Sequence, residues 1–207
     1  MLGLVHLCLS LFFCSVSTID RKEKIGLCIP GFDVKSNHYI HENEGVWFPQ
    51  YRSHHPDNGK YTCHTLYEKM VYEYDEHFLQ TDSYYTKLNK TIRTPYTQSY
   101  KQEKRGVLVD NDEIPDYGPY QVRNYIINLT PEYRVRYLCT DYEYTTIEGP
   151  TIYIETRSLP STKAIIDRAV LDIKDAGFRV ALDRISQHNC IRPLDKSGYK
   201  DRDNNSS

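Results

Sequence analysis

The side chains able to do chemistry in this sequence are mainly histidines, carboxylates and cysteines, and their spacing favours binding over catalysis. The histidines that lie near one another are His38, His41, His54, His55 and His64. None of these spacings repeats a known metal site. The chain also has no glycine-rich phosphate loop and no Gly-x-Ser-x-Gly nucleophile motif. We therefore expect no enzymatic activity, no metal and no cofactor.

The amino-terminal residues indicate export. Met1–Phe13 is an uncharged apolar run that is too short to span a bilayer, and small residues follow at Ser15 and Ser17. We predict a signal peptide over residues 1–17 and a secreted, extracellular protein.

Export changes how the cysteines are interpreted, because an oxidising compartment favours disulfides. The four cysteines beyond the signal are Cys28, Cys63, Cys139 and Cys190. They imply two disulfides, for which three connectivities are open. Because exported proteins can be N-glycosylated, we also predict glycosylation at the sequons of Asn89 and Asn128.

Composition narrows the function classes further. The 207 residues include 26 Lys+Arg against 28 Asp+Glu, so no basic surplus exists to bind nucleic acid. The 19 tyrosines favour strands with surfaces that are partly apolar and partly hydrogen-bonding. The hydrophobic content of 39% is that of a globular domain, which we place at 18–193, followed by a polar tail at 194–207.

Hydrophobic periodicity predicts the strands and the helix that would position these side chains. The predicted strands are Gly45–Arg52, Lys60–Tyr74, His77–Asn89, Thr91–Gln102, Gly106–Asp110, Tyr120–Leu129, Tyr133–Tyr142 and Thr151–Ser158. We predict a loop from Asn111 to Pro119 because it holds two prolines and a glycine. One amphipathic helix is expected between Ser161, as N-cap, and Gly177. Many short strands indicate a sandwich or a barrel.

Several motifs together resemble the lipocalins. Gly45-Val46-Trp47 opens the first strand, and Thr156-Arg157-Ser158 ends the eighth, just before the helix. The positions of the cysteines resemble the apolipoprotein D and bilin-binding branch of that family. This resemblance implies an all-β, eight-stranded antiparallel up-and-down barrel with one C-terminal helix packed outside.

The resemblance also implies specific pairings. It implies disulfides between Cys28 and Cys139 and between Cys63 and Cys190. It also implies that Arg157 stacks on Trp47 at the closed end of the barrel, next to Gly45. The Trp-containing motif departs from the usual pattern at Phe48-Pro49. The Thr-Asp-Tyr that is usual in the turn between strands six and seven is missing there, since Thr140-Asp141-Tyr142 follows Cys139.

Strand alternation assigns the lining of such a barrel. A sugar on Asn128 would have to face outward, and Arg134 and Arg136 should face solvent. The side chains predicted to face the interior and bind ligand are Tyr125, Ile127, Leu129, Tyr133, Val135, Tyr137, Tyr153 and Glu155. Ile152 and Ile154 would then meet the helix outside.

The functional expectation is a carrier of a small hydrophobic ligand such as a lipid, sterol or pigment. One alternative is a carrier of a biogenic amine that uses Glu155 and tyrosines. A second alternative is an extracellular β-sandwich interaction domain, although the only Trp lies before Cys63 and a sandwich does not explain the helix. We expect no nucleic-acid partner. Peripheral contact with a membrane or lipoprotein, and the oligomeric state, stay open.

Overall fold

A computed structural model describes residues 25–55, 59, 61–73, 75–87, 93–114, 118–143, 145 and 149–190, with backbone only at 61, 87, 93–97 and 112–114. Its strands are β1 (Gly45–Ser53), β2 (Tyr61–Glu73), β3 (Glu76–Lys87), β4 (Arg93–Lys104), β5 (Val107–Ile114), β6 (Gly118–Leu129), β7 (Tyr133–Thr140), β8 (Thr151–Thr156) and β9 (Leu182–Arg184). The α-helix α1 spans Lys163–Asp175, and a short 3₁₀ helix spans Ile40–Asn43.

The strands β1 to β8 form a closed antiparallel barrel. Each strand pairs with the next in sequence, and β1 pairs with both β8 and β2. The β1–β2 pairing closes only one end of the barrel, where Trp47 opposes Leu66. We call this the closed end and the opposite end the mouth. The predicted eight-stranded barrel is confirmed, and the β-sandwich alternative is wrong because its two sheets would leave open edges.

Helix α1 packs against the outside of the barrel, as predicted. Its buried residues are Ile165, Ala169 and Ile173, spaced by four so that they share one face. They belong to the same apolar cluster as Val135 and Ile154 of the barrel wall. The N-cap is Thr162 rather than Ser161, because the Thr162 hydroxyl accepts the backbone N–H of Ile165.

Both ends of the described chain are tied to the barrel. The amino-terminal segment bridges strand β7 at Leu27 and Thr140, beside the disulfide between Cys28 and Cys139. The carboxyl-terminal segment forms β9, which pairs with β1, and the second disulfide joins Cys63 to Cys190. Both predicted disulfides are confirmed.

Two parts of the sequence-based prediction need correction. Strand β5 continues to Ile114 and β6 already begins at Gly118, so most of the predicted 111–119 loop is strand. Strand β9 was not predicted, because three residues carry too little periodicity to be recognised alone. It lies beside β1 in the mouth half, where β1 has separated from β2, and so it continues the wall there.

Candidate ligand-binding site

The barrel wall separates two buried apolar clusters. One contains residues of helix α1 and therefore lies on the outer face. The other lies inside the barrel, and its best buried members are Ile25, Ile40, Leu79, Tyr100, Leu108, Val122, Ile126, Leu138 and Tyr153. These residues come from β3 to β8 and from the amino-terminal segment, so they form a continuous interior belt, which we call the apolar belt.

Strand β6 does not present the predicted face to the interior. Asn128 faces outward as assumed, but the register with β7 shifts between Ile126 and Asn128. This bulge inserts one residue, so Tyr125 and Ile127 also lie in the outer cluster while Ile126 points inward. The prediction that Tyr125 and Ile127 line the interior is therefore wrong. Leu129 packs against the inner cluster, as predicted.

Strand β7 presents to the interior the face that was predicted to point outward. Tyr133, Val135 and Tyr137 belong to the outer cluster, beneath helix α1. Arg134 and Arg136 were expected in solvent, yet they are 0% and 4% exposed and point into the barrel. The assumption that arginines mark the solvent face fails here because buried carboxylates pair with both of them.

The outward tyrosines have a packing role. The ring of Phe32, from the amino-terminal segment, meets Tyr125 and Tyr137 edge-on at centroid distances of 5.1 and 5.0 Å. The Tyr137 hydroxyl accepts the backbone N–H of Ile29. Burial raises the pKa of Tyr137, so its hydroxyl stays protonated. These tyrosines therefore connect the amino-terminal segment to the outer face of the barrel wall, and they do not line the interior.

The Asn128 side chain also makes hydrogen bonds to other residues of the fold. Its Nδ2 donates to Asp172 Oδ2 of helix α1 at 2.8 Å and to the Tyr133 hydroxyl at 3.4 Å. A sugar would be attached at this same nitrogen, so the folded state opposes the glycosylation predicted there. The other predicted sequon, Asn89, lies outside the described residues.

Strand β8 follows the prediction. Tyr153 belongs to the inner cluster and Glu155 is 0% exposed, while Ile152 and Ile154 belong to the outer cluster with helix α1. The regular pairing with β7 explains this success, because it contains no bulge. In that register Arg134 opposes Glu155 and Arg136 opposes Tyr153.

A buried network of ion pairs occupies the closed half of the interior. Arg134 donates Nη1 and Nη2 to the two carboxylate oxygens of Glu68 at 2.6 and 2.5 Å, and its Nε to Glu155. Arg136 donates Nε and Nη2 to Glu155 as well. Asn43 accepts a further hydrogen bond from Arg134. Burial would raise the pKa of Glu155, but the charges of Arg134 and Arg136 lower it below its ordinary value.

The predicted arrangement at the closed end is confirmed. The guanidinium carbon of Arg157 lies 3.5 Å from the centroid of the fully buried Trp47 ring, and that of Arg134 lies 4.4 Å away. Gly45 has a φ of +108°, a conformation that favours glycine, and a Cβ there would also come within 2.6 Å of Arg157 Nη1. Burial and the nearby Arg134 lower the pKa of Arg157 to about 10, and it remains a cation at neutral pH.

Two buried oxygens on the inner face have no hydrogen-bond partner among the described residues. They are Oγ1 of Thr81 on β3 and Oδ1 of Asn124 on β6. Thr81 lies two residues from Leu79 on the same face, and Asn124 lies two residues from Ile126. Unpaired buried polar atoms are uncommon, and an ordered water molecule or a bound ligand can satisfy them. The interior thus places two acceptor oxygens beside the buried apolar belt.

Sequence reasoning missed most of the residues that line the interior. It did not place Arg134, Arg136 or Glu68 there, although Arg134 and Glu155 would oppose each other in a simple β7–β8 pairing. The opposite charges on those two strands were the available signal. Positions on β3 to β5, such as Leu79 and Leu108, carried no signal beyond alternation.

Within the described residues, no helix combines the length and hydropathy needed to cross a bilayer. The same part of the chain contains no group of three or more His, Cys, Asp or Glu side chains arranged to hold a metal ion.

Comparison with known proteins identifies the fold. No protein-family model and no curated protein sequence matches the chain. Among solved structures, the cockroach allergen Per a 4 is 12% identical, with a TM-score of 0.56 over 77% of this chain and 94% of the allergen. Lobster apocrustacyanin A1 is 13% identical, with a TM-score of 0.50 over 77% of this chain and 93% of that chain. With its closed eight-stranded barrel and external helix, the chain has the lipocalin fold.

Proposed function

We propose that this protein is a carrier that binds one small, largely apolar molecule inside its barrel. The observation that carries the proposal is the inner face, where the apolar belt adjoins the unpaired oxygens of Thr81 and Asn124. Burial of a ligand there would contribute about 25 cal/mol per Å² of apolar surface. Its polar groups would supply hydrogen bonds that the protein alone does not.

Secretion belongs to the same proposal. Two disulfides form readily in an oxidising compartment and are rare in reducing ones. An apolipoprotein D-like subgroup is part of the proposal as well, since the two cysteine pairs have the connectivity that the sequence resemblance implied. A secreted carrier needs no catalytic residues, and the interior network of arginines and glutamates has a structural explanation in mutual neutralisation.

The amine-carrier alternative has less support. It required the Glu155 carboxylate to be available to a cationic ligand. Glu155 instead receives hydrogen bonds from both Arg134 and Arg136. An amine would have to displace a buried guanidinium, which is unfavourable because the displaced charge would be left uncompensated.

The proposal is tested with the neutral fluorescent probe N-phenyl-1-naphthylamine. Ser83 is buried on the inner face of β3, and Ser83→Phe should fill space on the mouth side of the apolar belt. We expect probe affinity to fall at least about tenfold, equivalent to about 1.4 kcal/mol. Gln80→Phe places the same ring on the outer face of the same strand and should leave the affinity unchanged. Absence of saturable binding to the native protein, or equal losses in both variants, would refute an interior site.

A further inference from the structure

The wall of the barrel is completed on one side by a segment from the carboxyl-terminal part of the chain. The ladder between β1 and β2 ends at the pair Trp47–Leu66. In the mouth half, residues 181–190 lie between these two strands, and we call them the carboxyl-terminal strap. On one side the strap pairs with β1 through β9, Leu182–Arg184.

On its other side the strap meets β2 along a line of contacts that we call the seam. The Cys63 N–H donates to the Ser186 carbonyl at 2.8 Å, and Gln187 Nε2 donates to the His64 carbonyl at 2.8 Å. The disulfide between Cys63 and Cys190 joins the same two segments covalently. These links all involve the end of the strap.

The strap buries little surface of its own. Each of its residues is exposed or half-buried, although Ile185 packs against the apolar belt inside the barrel. Segments with few buried contacts open locally at low free-energy cost. We therefore expect the attachment of the strap to β2 to depend mainly on the disulfide.

The backbone is strained at both ends of this disulfide. Cys63 has a φ of +60°, and Asn189, directly before Cys190, has a φ of +54°. Left-handed conformations are uncommon for residues other than glycine, and a cysteine has no special tolerance of them. Neither Cys28 nor Cys139 has a positive φ. Strained disulfides are reduced more readily than relaxed ones.

The two disulfides also differ in the surroundings of the sulfur that leaves during reduction. Cys139 is 0% exposed within the outer apolar cluster, so attack on Cys28 would expel a thiolate where no water solvates it. Cys63 and Cys190 are both half-buried and keep accessible surface. An external thiol should therefore react selectively at Cys63–Cys190.

We propose that Cys63–Cys190 is a site of thiol–disulfide exchange whose reduction by a dithiol opens the barrel wall along the seam. One thiolate of the dithiol attacks Cys190 Sγ, and the electron pair of the S–S bond leaves on Cys63 Sγ, which takes up a proton. The second thiolate of the dithiol then displaces Cys190 from the mixed disulfide, and Cys190 is protonated in turn. The dithiol is oxidised to a cyclic disulfide while the protein gains two thiols.

Opening of the seam also changes the interior. When the end of the strap leaves β2, the Ile185 side chain withdraws from the apolar belt and a second route into the barrel opens beside β2. This consequence rests on the proposed carrier function, whereas the selective reduction does not.

Differential alkylation of the native protein tests the exchange site. The protein is treated with dithiothreitol without denaturant, alkylated with iodoacetamide at successive times and mapped peptide by peptide. We expect Cys63 and Cys190 to be alkylated at least about tenfold faster than Cys28 and Cys139. Equal rates, or earlier reaction of Cys28–Cys139, would overturn the proposal.

Hydrogen–deuterium exchange of the selectively reduced and alkylated protein tests the opening of the wall. We expect the amides of residues 185–190 and of Cys63 to exchange at least about tenfold faster than in the oxidised protein, and those of β6 and β7 to be unchanged. The variant Cys63→Ser/Cys190→Ser, which carries no added alkyl group, should exchange in the same way. Unchanged exchange across the strap would mean that the seam stays closed, contrary to the proposal.

The dissociation rate of N-phenyl-1-naphthylamine tests the second route. Dithiothreitol should raise this rate several-fold in the native protein and leave it unchanged in Cys63→Ser/Cys190→Ser, where it is already raised. An unaffected rate in the native protein would exclude the second route. Failure of the native protein to bind the probe would refute the carrier function, while alkylation and exchange would still decide the exchange site. If the double variant does not fold, the native protein supplies each comparison.

Discussion

Arg134 links the two glutamates of the buried network to the closed end of the barrel. It pairs with Glu68 and Glu155 and also lies over the Trp47 ring. Removing one partner from such a network leaves a buried charge uncompensated, which is more damaging than the loss of one hydrogen bond. The network therefore neutralises the charges that strands β2, β7 and β8 bring into the interior.

Glu155→Gln tests this network at the level of stability. We expect the free energy of unfolding to fall by about 3–5 kcal/mol, because Arg136 then loses its carboxylate. Urea denaturation followed by Trp47 emission measures the change. Glu132→Gln removes the exposed partner of Arg168 and should change stability by less than about 1 kcal/mol. Comparable small effects from both substitutions would show that the buried network adds little.

Acid should act through the same carboxylate. The pKa of Glu155 is lowered in the folded protein, so its ionised form contributes stability above the unfolded-state pKa of about 4.3. That contribution is lost as the pH falls below this value, through the folded-state pKa. The unfolding free energy of Glu155→Gln should therefore decline less steeply in this acid range than that of the native protein.

At the residue scale, the contacts that could be predicted from the sequence were those that a family motif determines. The cysteine pairs and the Arg157–Trp47 stack followed from the family resemblance, and both are present. The inward orientation of Arg134 and Arg136 could not be predicted from the sequence, because hydrophobicity scales place arginines in solvent. Only the three-dimensional partner of each arginine shows that burial is tolerated.

At the element scale, the register between strands β6 and β7 decides which side chains of β6 face the interior. One bulged residue before Asn128 reverses the expected face of Tyr125. Alternation from a single fixed residue cannot detect such an insertion, since each step assumes regular pairing. Strand β8, which has no bulge against β7, was assigned correctly for that reason.

The helix is joined to the barrel by a polar contact that Tyr133→Phe should weaken. The Tyr133 hydroxyl donates to Asp172 Oδ2 at 2.8 Å. Loss of this charge-assisted hydrogen bond should cost about 1.5–3 kcal/mol of unfolding free energy. Tyr72→Phe removes a similar bond to Asp75, but at an exposed site, and should have no measurable effect.

The same substitution should change stability at alkaline pH. Burial and the hydrogen bond to Asp172 raise the pKa of Tyr133 to about 12. Its stabilising contribution is thus complete below pH 10 and is lost as the pH rises toward 12. Tyr133→Phe should lack this part of the alkaline decline. An alkaline decline identical to that of the native protein would exclude Tyr133 as its source.

At the scale of the whole molecule, strand count, helix position and cysteine spacing were enough to predict the barrel. They were not enough to predict its contents, because the tyrosines that suggested a ligand cup pack under Phe32 and helix α1. The interior instead combines the apolar belt with the buried network of ion pairs. The central claim is that this interior, and not the tyrosine-rich outer face, receives the ligand.

A crystal structure of the protein grown with N-phenyl-1-naphthylamine tests that claim most directly. The account predicts density for the probe inside the barrel, against Leu108 and Ile126. Density for the probe on the outer face among Tyr125 and Tyr137, or an unchanged interior at a saturating probe concentration, would contradict it.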